Sequence, residues 1–135
     1  MNIALIAHDA KKELMTDFCI AYKGILSRHK ICATGSTGKI VEEATQLPIV
    51  KLLSGMHGGS QQIAARIACD EVDLLLFFMD PLNTGADRNA MAENNLLRLC
   101  DMHNIPFATN LATAEMLVLG LERGDLGWRE ILKIN

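Results

Sequence analysis

Two short stretches carry residues able to hold and process an anion: His8-Asp9-Ala-Lys-Lys12 near the start of the chain, and Thr34-Gly-Ser-Thr-Gly-Lys39 soon after. In the second, a β-type run from Lys30 to Ala33 breaks into small and hydroxylated residues just before a helical pattern. Gly35 and Gly38 let the backbone turn and approach an anion, Thr34, Ser36 and Thr37 add hydroxyl donors, and a helix start supplies free N–H groups. The spacing is neither G-x-x-x-x-G-K-S/T nor G-x-G-x-x-G. By itself a Gly/Ser/Thr turn of this length is more often a helix cap than an anion site. Its meaning depends on what the fold brings beside it. Lys12, three residues after Asp9 at a helix start, can reach the same edge with a positive charge, although an isolated lysine there reads as a solvated helix residue.

The elements that must position these groups follow from apolar runs. Ile3 to Ala7 is a first strand, followed by a helical pattern through about His29 with Leu14, Met15, Phe18, Cys19, Tyr22, Ile25 and Leu26 on one face. Ile31 to Thr34 is a second strand and Thr37 to Gln46 its helix; Ile49 to Leu53 is a third strand. Ser54-Gly-Met-His-Gly-Gly-Ser60 is another Gly-rich turn, with Ser60 expected to cap a helix carrying Ile63, Ala64 and Ile67. Val72 to Met79 is the most strand-like segment, ending at Asp80-Pro81. A polar loop, Leu82 to Ala90, leads to a helix with Met91, Leu96, Leu97, Leu99 and Cys100. Ile105 to Thr109 is a fifth strand, Ala112 to Leu121 a helix, and Gly124 to Asn135 a tail or final helix. Five short apolar strands alternating with helices predict an α/β fold: one domain over residues 1–135, a five-stranded parallel sheet with helices on both faces.

In such sheets ligands bind outside the carboxyl ends of the strands. The polar residues ending the strands are His8 and Asp9, Thr34 and Gly35, Ser54 and Gly55, Asp80, and Thr109 and Asn110, and all fall on one edge. Asp9 and Asp80 also have a structural reading as cap and loop residues, and His8 one as a satisfied buried histidine. His29 and His103 read as surface residues without a role.

Composition narrows the partners. The 135 residues carry a net charge of −3 with scattered basic residues, which argues against a nucleic-acid-binding face and for a small anion held in a local pocket. Cys19, Cys32, Cys69 and Cys100 are far apart, with no CxxC pair or zinc-like spacing, and read as buried reduced thiols. Met1-Asn2 runs directly into the first strand and no apolar run is long enough to cross a membrane. A cytoplasmic protein without membrane partners is expected.

Taken together, His8-Asp9-x-x-Lys12, Ala33-Thr-Gly-Ser-Thr-Gly38, Ser54-Gly-x-x-Gly-Gly-x-Gln-Gln62, Phe77-Phe-x-Asp-Pro-Leu82 and Pro106-x-Ala-Thr-Asn110 resemble the ordered motifs of the methylglyoxal synthase family over nearly the whole chain. The resemblance implies a single Rossmann-like domain in a homohexamer that eliminates phosphate from dihydroxyacetone phosphate to give methylglyoxal, with no metal or organic cofactor. Carried over by motif, Lys12, Thr34, Gly35, Ser36, Thr37, Ser54 and Gly55 would hold the phosphate of a small phosphorylated metabolite or inorganic phosphate itself, and His8, Asp9 and Asp80 would line the site as catalytic residues. Two departures stand out. Where the family reads Gly-Gly-Asp-Gln-Gln, with the Asp as proton-abstracting base, this chain has Gly58-Gly-Ser60-Gln-Gln62; where it usually reads Pro-His-x-Pro-Asp, the chain has Ala86-Asp-Arg-Asn-Ala90. Ser36 for the commoner Thr keeps the hydroxyl.

A positioned general base typically contributes about 10²–10⁴-fold in rate, so a neutral Ser60 matters. His57, Asp9, Asp80 and Asp87 are the substitutes that spacing offers. Two readings stay open: a lyase of the methylglyoxal synthase type, weakened or using a relocated base, and a non-catalytic regulatory module binding phosphate or a phosphometabolite on the same fold.

Overall fold

The computed structural model describes residues 1–83 and 89–134. Strands β1 (Asn2–Ala7), β2 (Lys30–Ala33), β3 (Ile49–Lys51), β4 (Leu74–Phe78) and β5 (Phe107–Ala108) form one sheet in the order β3-β2-β1-β4-β5, every pair parallel. The α-helices among the described residues are α1 (Lys12–Ala21), α2 (Lys23–Leu26), α3 (Gly35–Thr45), α4 (Gly59–Ala68), α5 (Ala90–Met102), α6 (Leu111–Arg123) and α7 (Gly127–Ile134). Alternation along each strand builds two cores. Ile3, Leu5, Ile31, Leu74, Leu76 and Phe78 pack with Met15, Phe18, Val41 and Val118 from α1, α3 and α6. Ala4, Ile6, Cys32, Leu75 and Phe77 face Ile63, Ile67, Leu96 and Cys100 from α4 and α5. Strands covered on both faces have to be apolar at consecutive positions, which is why they read as uninterrupted runs. The expected α/β architecture is the observed one.

The chain steps outward from β1 through β2 to β3, then returns to lay β4 on the other side of β1. The strand order therefore reverses between β1 and β4, and the two chain segments leaving those strands part there to form a crevice. His8 and Asp80, which follow β1 and β4, meet across it.

Several boundaries differ from the sequence expectation for identifiable reasons. The first helix ends at Tyr22 (φ −106°, ψ 20°), where the Phe18 and Tyr22 rings lie 4.9 Å apart, and resumes as the single turn α2. Helix α3 begins at Gly35, two residues before the expected start, because Gly38 N–H already closes a turn on Thr34 O at 2.8 Å. Ser36 and Thr37 are thus a helical first turn, not a loop. Neither Gly35 nor Gly38 has positive φ; a Cβ would stand 2.9 Å from Leu52 O at the first and 2.9 Å from Lys51 Cγ at the second. Their missing side chains let α3 lie against β3. Ser60 does not cap α4: Gly58, at φ 105°, precedes the helix, and Ser60 is buried within its first turn. Asn110, grouped with the other strand-end residues by the sequence, accepts from Thr113 N–H at 3.0 Å and caps α6.

Of the four thiols, Cys19, Cys32 and Cys100 are buried as expected, but Cys69 is exposed at the end of α4. Burial pushes the Cys19 and Cys100 thiols up to about 12. At the other end of the sheet, Arg129 of α7 is buried; its guanidinium donates to Asn104 O (2.6 Å) and faces Asp73 (3.4 Å). Asp73 in turn accepts the Asn2 N–H at 2.8 Å, fastening α7 to the start of β1. Among the described residues no helix is long and apolar enough to cross a membrane.

Candidate functional site

A cleft of about 570 Å³ opens at the carboxyl edge of the sheet, above the crevice between β1 and β4. One side is suited to an anion. Lys12, Thr34, Ser36, Ser54 and Gly55 line it. The Ser36 and Thr37 N–H groups have no backbone acceptor among the described residues, as the first turn of a helix dictates, and the positive end of the α3 dipole lies at the same place. Lys12 pairs with Asp9, whose carboxylate stands in solvent at the rim with its side chain 95 % exposed. The hydrogen bond from Lys12, and then the lysine's charge, hold the Asp9 carboxyl below the usual carboxylate range. Ser54 shares a 2.6 Å hydrogen bond with Nδ1 of the exposed His57.

The other side holds titratable groups in a defined arrangement. The Asp80 N–H donates to Nδ1 of His8 at 2.8 Å. A ring nitrogen that accepts from an amide carries no proton, so the imidazole proton sits on Nε2 and His8 is neutral. Nε2 then donates to Oε2 of Glu93 at 2.6 Å. The Phe77 ring meets the imidazole edge-on, with centroids 5.4 Å apart at 85°, fixing the ring plane. Glu93 is 5 % exposed, lies in the first turn of α5 and lines the cleft. The partial positive charge of a helix start favours a carboxylate there. The Asp80 carboxylate is turned to local structure, accepting the Leu82 N–H at 3.0 Å. Ser60 presents its hydroxyl on the cleft wall, near Gly55.

Comparison with known proteins gives this edge a family. The family model of the MGS-like domain matches residues 15–109. The chain belongs to the MGS-like family. Methylglyoxal synthase of Caldicellulosiruptor saccharolyticus is 57% identical over 132 residues, 98% of this chain and 92% of that protein. Methylglyoxal synthase of Thermoanaerobacterium thermosaccharolyticum is 55% identical over 133 residues, 98% of each chain. The crystal structure of methylglyoxal synthase from Elizabethkingia anophelis NUHP1 is similar with a TM-score of 0.78 at 35% identity, covering 87% of this chain and 76% of that one.

Within this MGS-like chain, His8, Asp9, Lys12, Thr34, Ser36, Ser54, Gly55, Ser60 and Asp80 all border one cleft. Gly35 and Thr37 do not reach its wall. Gly35 donates its N–H to Leu53 O at 3.1 Å, and the Thr37 hydroxyl is buried with no hydrogen-bond partner among the described residues. Asp87 lies outside the described residues. The residue that sequence reasoning missed is Glu93. A signal was present: Glu93 precedes Leu96 by three and Cys100 by seven, so it occupies the inward stripe of α5, where a carboxylate is out of place unless the site needs one.

Proposed function

We propose that this protein eliminates phosphate from dihydroxyacetone phosphate, producing methylglyoxal and inorganic phosphate. The observation that carries the reading is the division of one cleft into an anion-holding side, with Lys12, Thr34, Ser36 and the start of α3, and a proton-handling side with His8 and a buried carboxylate. Its relatives of 55% to 57% identity, named methylglyoxal synthase, support the same reaction. The reaction needs a base for a carbon-bound proton beside a carbonyl, donors for the enediolate oxygens, and a cationic pocket for the departing phosphate.

In this reading Lys12 and the free N–H groups at the start of α3 bind the phosphate, with Thr34, Ser36, Ser54 and the backbone at Gly55 closing around it. Asp9, held ionised, orients Lys12; Asp80 orients His8 through its N–H; Ser60 contributes a hydroxyl donor. Exposed Val50, Leu53, Met116, Leu119, Ile131 and Leu132 provide apolar surface for the homohexamer that we propose as the working assembly, in the cytoplasm. Incubating the purified protein with dihydroxyacetone phosphate and quantifying methylglyoxal tests the reaction. Formation well above the uncatalysed rate is expected. A folded protein that binds phosphate but forms no methylglyoxal would instead be a phosphate-sensing module.

A further inference from the structure

We propose that Glu93 is the general base of this site, with His8 as the residue that positions it. The inference rests on the elimination proposed above and names the group that starts it. Among the described residues, three carboxylates border the cleft: Asp9, Asp80 and Glu93. Asp9 is at the rim, in solvent and engaged by Lys12. Asp80 spends an oxygen on the turn that follows β4, at Leu82 N–H. Glu93 alone of the three is enclosed, 5 % exposed, inside the cleft that would hold the substrate. The remaining candidates among the described residues are weaker bases by type or placement: Ser60 is a neutral hydroxyl, and His57 is exposed and bonded to Ser54.

The setting of Glu93 is built for orientation. Its partner imidazole is fixed from behind by the Asp80 amide and from the side by Phe77. Because His8 donates through Nε2, it presents a proton to the carboxylate and steers one oxygen, without itself taking up a proton while the Asp80 bond persists. The pair joins residues 85 positions apart, from the end of β1 and the start of α5, so both walls of the cleft fix where the carboxylate sits.

The chemistry balances without a further reactant. The Glu93 carboxylate takes a proton from the hydroxymethyl carbon of dihydroxyacetone phosphate; the C–H pair forms a double bond to the carbonyl carbon, whose oxygen becomes the enediolate oxygen. The hydroxyl proton then leaves to the departing phosphate, the former hydroxymethyl carbon becomes an aldehyde, the double bond shifts to the methylene, and the C–O bond to phosphate breaks. The proton held by Glu93 returns to the methylene carbon, which becomes the methyl group of methylglyoxal. Hydrogen phosphate leaves, and the carboxylate is regenerated.

The test compares parent, Glu93→Gln and Glu93→Ala. Gln keeps the size of the side chain and an oxygen for His8 but cannot accept the carbon proton. Its kcat should fall by about 10²–10⁴-fold, with KM and the calorimetric affinity for inorganic phosphate within about threefold of the parent, a split expected of lost chemistry and not of lost structure. Added formate or acetate should restore part of the turnover of Glu93→Ala, because a small carboxylate can enter the vacated space. A Glu93→Gln protein with parental kcat, or one losing turnover and phosphate affinity together, would overturn the assignment. A parent that binds phosphate and forms no methylglyoxal would overturn the reaction itself and the base with it, and the parent arm alone reveals that case.

Discussion

Replacing Gly59 with Ala should disable the site without touching any group that performs chemistry. A Cβ at Gly59 would lie 2.0 Å from Leu53 O and 2.8 Å from Ser54 O, both backbone atoms with no rotamer to escape into. Restoring ordinary contact at 3.4 Å requires a shift of about 1.4 Å between the start of α4 and the turn after β3. That turn is held from several directions: Gly59 N–H donates to Ser54 O at 2.8 Å, Gly35 N–H to Leu53 O at 3.1 Å, and Leu53 N–H to Gln62 Oε1 at 2.7 Å. Overpacking in a core costs about 1–3 kcal/mol, and a collision with fixed backbone belongs at or above the top of that range. For a chain of this size it corresponds to a fall of about 10 °C or more in melting temperature. Ser54, Gly55 and Ser60 are carried by the two segments forced apart, and a misplacement of about 1 Å costs on the order of 10²-fold in rate. Thermal denaturation and turnover of dihydroxyacetone phosphate read the two effects. Gly24→Ala is the comparator, because nothing lies within 4 Å of its Cβ position in α2, and it should leave stability unchanged or raise it by up to about 1 kcal/mol. Equal melting temperatures and rates for the two variants would refute the packing argument.

Lys12→Met should weaken inorganic phosphate binding by about 10- to 100-fold, as expected for a charge-assisted hydrogen bond of about 1.5–3 kcal/mol, while leaving the melting temperature within a few degrees; calorimetry decides it, and unchanged affinity would remove Lys12 from the anion site. Arg129→Ala deletes the guanidinium that faces the buried Asp73 carboxylate and the Asn104 carbonyl, so urea denaturation should show a loss of about 3–5 kcal/mol, whereas a loss under about 1 kcal/mol would mean that α7 is not fastened through this residue. Light scattering across a range of protein concentrations should give a hexamer, and a strictly monomeric species would contradict the proposed assembly.

The sheet was legible because parallel strands covered on both faces must be apolar without interruption, as Ile3 to Ala7 and Leu74 to Phe78 are. The edge carrying the polar strand ends followed from that fold. What sequence reading misjudged were features decided by contacts across the fold. Gly35 and Gly38 were read for their freedom to turn, but the nearby β3 segment makes them necessary by leaving no room for a Cβ. Ser60 was read as a cap, yet Gly58 takes the turn at φ 105° and leaves Ser60 inside the helix. Cys69 follows the apolar pair Ile67-Ala68 and reads with the buried thiols, but it falls at the exposed end of α4, just before Asp70 and Glu71. Glu93 went unremarked since its partner, His8, is 85 residues away and comes alongside only when β4 returns beside β1.

The most direct measurement of the central claim follows phosphate and methylglyoxal together while the unmodified protein is mixed with dihydroxyacetone phosphate. The two products should appear in a one-to-one ratio at a turnover within the usual enzymatic span of about 1–10³ s⁻¹. Tight phosphate binding with neither product released above the background rate would contradict it.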